Sequence, residues 1–185
     1  MIRMRTRSMI VGLRQMIQHI RKHLGSTKQL TIVEIGSYNG DSTAIFARNF
    51  EQVYAVDPWK ANKKEGDACS KENIAAAETN FDKMADVHDN VIKVKTTSKQ
   101  AARRFRSKTI DVLYIDGRHT ENGVTEDIEL FTKKVKPGGF ICGHDFWNKK
   151  PGVMRAVRKA FGEPDKTFKD SSWLVRVEEG GRIKG

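Results

Sequence analysis

From residue 30 onward, short apolar runs alternate with amphipathic segments, and no other feature restricts the fold as strongly. Residues 30–35, 53–56, 91–94, 110–115 and 140–142 read as strands. Residues 42–50, 71–84, 98–105, 121–135 and 153–161 read as the helices between them. This alternation requires a mostly parallel sheet covered by helices on both faces. Val112-Leu113-Tyr114-Ile115 has no polar face, as expected of a strand buried on both sides. Residues 167–169 and 172–177, around Asp170-Ser171, have no helix between them and so form an antiparallel hairpin. The expected fold is α/β: a doubly wound, seven-stranded, three-layer αβα sandwich.

Before that alternation lies a different segment. Met9, Ile10, Leu13, Met16, Ile17, Ile20 and Leu24 recur at helical spacing, ending near Gly25. Residues 1–30 carry Arg3, Arg5, Arg7, Arg14, Arg21, Lys22 and Lys28 and no acid. The formal charge is +11, yet the other 155 residues hold 27 basic side chains against 23 acids. Three domain boundaries follow: a basic amphipathic helix over 1–28 docked on the domain, the domain itself over 29–178, and a flexible tail over 179–185. Docking is the expected role of the helix, because only a short link joins it to the first strand. A dimer contact, a membrane-surface helix, an organelle presequence or a nucleic-acid contact are its other uses.

With 38% hydrophobic and 31% charged residues, the chain is neither a disordered tail nor a membrane-spanning protein. Cys69 and Cys142 form no CxxC, which excludes a disulfide scaffold and a cysteine-rich zinc site and points to a reducing, cytoplasmic setting.

In such sheets ligands bind beyond the carboxyl ends of the strands, where strand order reverses. The first such loop reads Glu34-Ile35-Gly36-Ser37-Tyr38-Asn39-Gly40. A dinucleotide site requires GxGxxG, whose middle glycine admits a pyrophosphate; Tyr38 stands there instead. The pattern is acid-x-Gly-x-x-x-Gly, and Asp57 closes the second strand, where a carboxylate can accept from both ribose hydroxyls. A nucleoside without a pyrophosphate points to S-adenosylmethionine, although Gly36 and Gly40 alone would also serve a plain strand-to-helix turn.

At this loop the chain resembles the class I S-adenosylmethionine-dependent methyltransferases, which have a Rossmann-like sheet. The resemblance implies that Glu34, Gly36, Ser37 and Gly40 form the cofactor loop, with Glu34, Gly36 and Ser37 beside the methionine moiety. It also implies Asp57 on the ribose, Thr97 and Ser98 near adenine, and Asp116 at the cofactor's amino end.

The fourth strand ends in Asp116-Gly117-Arg118-His119 and the fifth in Gly143-His144-Asp145-Phe146. Both lie at the carboxyl edge, so two carboxylates and two imidazoles should share a cleft suited to acid–base work or a divalent ion. The run IDG-x-H, then Val124 and Asp127 on one helix, then KPGG-x-I-x-GHD-F and PGV-x-x-AV, resembles the methyltransferase-24 family over about residues 30–162. That resemblance implies O-methylation of a small molecule such as a saccharide. Metal-dependent relatives place an ion, often magnesium, where Asp116, His144 and Asp145 stand. His144 replaces an oxygen donor there, which suits magnesium poorly. His119, then His144, are the candidate bases. Trp59, Trp147, Asn148, Lys149, Lys150, Lys60, Lys63 and Lys64 are further candidates for ligand contact, each with an ordinary packing or solvated alternative.

Two other functions compete. A nucleic-acid methyltransferase would use the basic helix, but there is no Pro-Pro-Tyr after the fourth strand and no cysteine placed to attack a pyrimidine. A non-catalytic nucleotide-binding module would share the fold.

Overall fold

Ile110–Ile115 (β4) is buried at every position. Its one acid, Asp111, stays there because its carboxylate accepts from Lys136 Nζ at 2.6 Å and from the Thr31 amide at 2.9 Å. The computed structural model describes residues 7–60 and 70–178, with side chains from Ile10 onward. The candidate contacts Lys63 and Lys64, Cys69, the basic residues Arg3 and Arg5, and the predicted tail 179–185 lie outside the described residues.

On one side of β4 lie Thr31–Ile35 (β1), Gln52–Asp57 (β2) and Val91–Lys95 (β3); on the other lie Val135–Gly143 (β5), Trp173–Arg176 (β7) and Lys166–Thr167 (β6). The order is β3-β2-β1-β4-β5-β7-β6. The first five strands in chain order are parallel, and β7 is antiparallel to both its neighbours. The expected seven-stranded Rossmann-like sheet with an antiparallel terminal pair is therefore what forms. Strand order reverses between β1 and β4, which places the crevice beyond Ile35 and Ile115.

Side-chain alternation assigns the helices to faces. Ile32, Val112, Tyr114, Phe140 and Cys142 point one way, against Arg7–Leu24 (α1) and Asp41–Ala47 (α2). Leu13, Met16, Ile17 and Ile20 of α1 are at most 2% exposed, a burial worth about 1.5–3 kcal/mol per side chain. Lys71–Ala85 (α3) packs Phe81 against Ala55 and Trp59. Val33, Ile35, Leu113, Ile115 and Ile141 point the other way, towards Ser98–Ala101 (α4), Glu121–Phe131 (α5) and Pro151–Phe161 (α6).

The helices expected over 42–50 and 98–105 end early, at Ala47 and Ala101, and the largest boundary difference lies before the fifth strand. The helix expected over 121–135 ends at Phe131 and closes in a tight turn at Thr132–Lys134, and β5 begins at Val135. Lys136-Pro137-Gly138-Gly139 therefore enters the strand. A register shift between Ile110 and Val112 absorbs the proline, which a regular ladder would reject. Gly138 adopts φ +80°, and its amide donates to Val177 O at 2.8 Å.

Candidate active site

The loops continue the ladder past the strand ends. Gly36 N–H donates to Val56 O (2.8 Å), Asp116 N–H to Ile35 O (2.8 Å) and His144 N–H to Ile115 O (3.1 Å). This brings the β1, β4 and β5 loops side by side around a cavity of about 640 Å³. Gly36 has φ +91°, and a Cβ there would lie 2.3 Å from Asp116 O. Only glycine fits between the first and fourth loops.

Asp57 organises the first loop. Its Oδ2 accepts from the Tyr38 amide (3.0 Å) and its Oδ1 from the Trp59 amide (2.7 Å). Trp59 Nε1–H donates in turn to Tyr38 O at 2.8 Å. Tyr38 and Trp59 both have φ 42°, a conformation this clamp holds in place. Trp59 is 5% exposed and lies against Phe81, so its place is structural. Each Asp57 oxygen has more than one acceptor site, so these bonds do not preclude ribose hydroxyls.

Gly36, Ser37, Asp57, Thr97, Ser98 and Asp116 all line the cavity. Ser37 is 3% exposed, and its Oγ has no hydrogen-bond partner among the described residues. A buried hydroxyl left in that state fits a site that a ligand completes. Two of the expected cofactor-loop residues, Glu34 and Gly40, do not line the cavity. Glu34 is fully buried, and its two oxygens accept from the Ser42 and Thr43 hydroxyls, so it pins β1 to the first turn of α2 from beneath the loop. Gly40 precedes α2 at φ +85°, and a Cβ there would meet Met84 Cε at 2.8 Å; its role is a left-handed entry packed on α3.

At the other end of the cavity the four expected groups converge. His119 Nε2 lies 3.1 Å from Asp145 Oδ2 and 3.8 Å from Asp116 Oδ1. His144 Nδ1 lies 3.3 Å from Asp145 Oδ1 and 3.7 Å from Asp116 Oδ1. Asp116, His144 and Asp145 each offer a ligand atom within 4.8 Å of the others. Asp145 has φ +63°, an uncommon conformation for a non-glycine residue. Burial pushes the Asp145 carboxyl up, but the hydrogen bond from His144 and the charges of His144, His119 and Lys150 outweigh it and hold it below the usual carboxylate range. Trp147 Nε1–H donates to Asp145 Oδ1 at 3.2 Å, and Lys150 Nζ is 4.0 Å from Oδ2. Lys60 also lines the cavity.

Asp127, which shares a helix with Val124 in the family-like motif, is a further residue of the site. It is 1% exposed and lines the cavity, its Oδ1 accepts from Arg118 at 3.3 Å, and its Oδ2 has no hydrogen-bond partner among the described residues. Burial pushes its carboxyl up to about 6, against Ser98 and Arg118, which pull it down. The signal was present: Val124, Asp127, Ile128 and Phe131 form one helical stripe, and an acid on an apolar stripe is costly unless used. The cavity walls carry six carboxyl groups against three lysine or arginine side chains, so the local field favours a cationic ligand.

Residues 33–146 match the Methyltransf_24 family, described as a methyltransferase domain. The chain belongs to this family. An uncharacterised protein of Acanthamoeba polyphaga mimivirus is 31% identical over 153 residues, 76% of this chain and 65% of that protein. The chain thus spans just under two thirds of that relative. Among solved structures, an rRNA methylase from Streptococcus thermophilus is 15% identical with a TM-score of 0.57, covering 90% of this chain and 95% of that one. A geranyl diphosphate C-methyltransferase from Streptomyces coelicolor A3(2), in complex with Mg2+, geranyl diphosphate and S-adenosyl-L-homocysteine, is 14% identical with a TM-score of 0.52, covering 79% and 58%. At these identities the likeness to solved structures is one of fold, the Rossmann-like methyltransferase fold. Among the described residues, no helix is long and apolar enough to cross a membrane.

Proposed function

We propose that this methyltransferase-family chain binds S-adenosylmethionine in the cavity and methylates an oxygen of a small molecule, with a saccharide as the first class to test. The cofactor fits the residues present: Gly36 lets the first and fourth loops close together at the cavity, the Ser37 hydroxyl awaits a partner, Asp57 lines the wall with acceptors suited to a ribose, and the walls are acidic. When bound, S-adenosylmethionine supplies an electrophilic methyl group on a sulfonium sulfur.

The observation that carries the oxygen-acceptor reading is the 3.1 Å approach of His119 Nε2 to Asp145 Oδ2. A neutral hydroxyl needs its proton removed as it attacks. With His119 Nε2–H donating to Asp145, the other ring nitrogen, Nδ1, takes that proton, and the ionised Asp145 carboxylate balances the imidazolium formed. His144 on the other side of Asp145 fixes the carboxylate's orientation and is the alternative base. Holding the acceptor in line contributes about 7–11 kcal/mol in well-oriented systems.

The convergence of Asp116, His144 and Asp145 favours a second reading of the same corner. These residues would hold a divalent ion, which would lower the hydroxyl's pKa in place of a base. With an imidazole among the donors, manganese or zinc suits the set better than magnesium.

Thermal unfolding with S-adenosylhomocysteine, with NAD as control, tests the cofactor. At 100 times the dissociation constant, a ligand adds about 2.7 kcal/mol, a shift of several degrees at roughly 2–4 °C per kcal/mol. A shift with NAD alone, or with neither compound, would overturn the reading and favour the binding-module alternative.

A further inference from the structure

The parallel strands give the sheet two unlike ends. The carboxyl end carries the cavity with Asp57, Asp116 and Asp145. The amino end carries the residues that lead into the central strands: Lys28 before β1, Arg103 to Lys108 before β4, and Lys133 to Lys136 at the entry of β5.

The last two segments, distant in sequence, form one surface. Lys108 N–H donates to Lys133 O (3.2 Å), Thr109 N–H to Lys134 O (2.9 Å), and Lys134 Nζ to Phe105 O (2.8 Å). Neither 101–110 nor 130–138 contains an acid. Arg103, Arg104, Arg106, Lys108 and Lys133 are exposed, and none makes an ion pair with another described residue. Within the same surface Lys136 is matched by Asp111, and Lys134 is held by the Phe105 carbonyl. Five unmatched cations gathered by the fold repel one another, and a polyanion relieves that repulsion.

We propose that this amino-end surface docks the phosphate backbone of a nucleic acid. Arginine forks and lysines match phosphate oxygens without reading bases. The exposed large apolar side chains, Val11, Val87, Ile92 and Trp147, lie outside both segments, and Phe105 turns inward onto Tyr54 and Phe131. A membrane-surface site would instead offer apolar side chains for insertion. Because the surface lies at the opposite end of the sheet from the cavity, the bound strand is a tether and not the methyl acceptor.

The test is fluorescence anisotropy of a labelled single-stranded RNA 20-mer between 50 and 200 mM KCl. Binding should weaken steeply with salt. Replacing Arg103, Arg104, Arg106 and Lys108 together by glutamine should weaken it at least tenfold at 50 mM and flatten the log–log salt slope by about 3. An α1 variant, Arg14→Gln with Arg21→Gln and Lys22→Gln, should change affinity less than threefold. The single variants Arg106→Gln and Lys108→Gln, at exposed positions, should each give a partial loss with an unchanged unfolding temperature. No binding at 50 mM, full binding by the fourfold variant, or loss only in the α1 variant would each overturn the proposal. So would equal binding to phosphatidylserine vesicles, which would assign the surface to lipid. The anisotropy does not depend on cofactor binding, so the two readings stand or fall separately.

Discussion

His119 Nε2 and Asp145 Oδ2 stand 3.1 Å apart, although one residue follows β4 and the other follows β5. The pair exists because those strands are neighbours in register, Ile115 beside Gly143. His119→Ala should lower kcat by about 10²–10⁴-fold, the range of a general base, while the thermal shift with S-adenosylhomocysteine stays within a degree of wild type. Asp145→Asn should lower kcat less than His119→Ala. If His144→Ala alone removes activity and His119→Ala does not, the base is His144.

The buried Asp127 makes stability depend on pH in an unusual direction. Its folded value is about 6, above the ordinary 3.8, because burial penalises the charge. Between these values the folded chain holds a proton that the unfolded chain has released. Stability therefore falls as pH rises through this window, by about 3 kcal/mol from this group. Asp127→Asn removes the charge and keeps the shape. It should melt several degrees above wild type at pH 7.5, with the difference shrinking towards pH 4.5. Its S-adenosylhomocysteine shift should be smaller than wild type, because Arg118 loses its carboxylate partner at the cavity wall. A lower melting temperature at pH 7.5 would show that the ion pair with Arg118 outweighs burial.

Gly36 is the tightest point between the first and fourth loops. Gly36→Ala places a methyl 2.3 Å from Asp116 O at a positive φ. Either the loops separate or the backbone flips, and both displace Ser37 and Asp116. Calorimetry with S-adenosylhomocysteine should show affinity lost at least 100-fold, with a smaller loss of stability than core truncation causes. By contrast Gly25→Ala, where φ is +78° and no atom lies within 4 Å, should leave cofactor affinity unchanged.

The metal reading has its own signature. If Asp116, His144 and Asp145 hold an ion, Mn2+ should raise the unfolding temperature more than Mg2+, and EDTA should reverse the rise. Asp116→Asn with Asp145→Asn should abolish it. Equal behaviour of wild type and double variant in Mn2+ would leave His119 as the working base without an ion.

Most of the architecture was legible in the sequence because burial on two faces leaves no polar face along Val112–Ile115 of β4, and that pattern is local. The loop Gly36-Ser37-Tyr38, Asp57 after β2, and the two motifs after β4 and β5 were likewise legible, since parallel strands must deliver their carboxyl ends to one edge. The early start of β5 was not legible because the proline and glycines of Lys136–Gly139 are turn signals, and only pairing with Ile110 and Val177 makes the segment strand. That Glu34 and Gly40 stand away from the cavity wall was hidden for a related reason. Sequence spacing puts both in the first loop, but whether a residue faces the cavity or the layer beneath depends on which helix covers it, and the Ser42 and Thr43 hydroxyls and α3 decided that. The roles of Asp127 and of the basic amino-end surface depend on contacts between segments far apart in the chain: Ser98, Arg118 and Asp127 in one case, Lys108 and Lys133 in the other. The sequence by itself determined which segments become strands and helices and which end of the sheet would carry the acids and imidazoles. Only the tertiary structure decided which of those side chains touch, because distances between loops are set by strand register and helix packing, and neither is written in local periodicity.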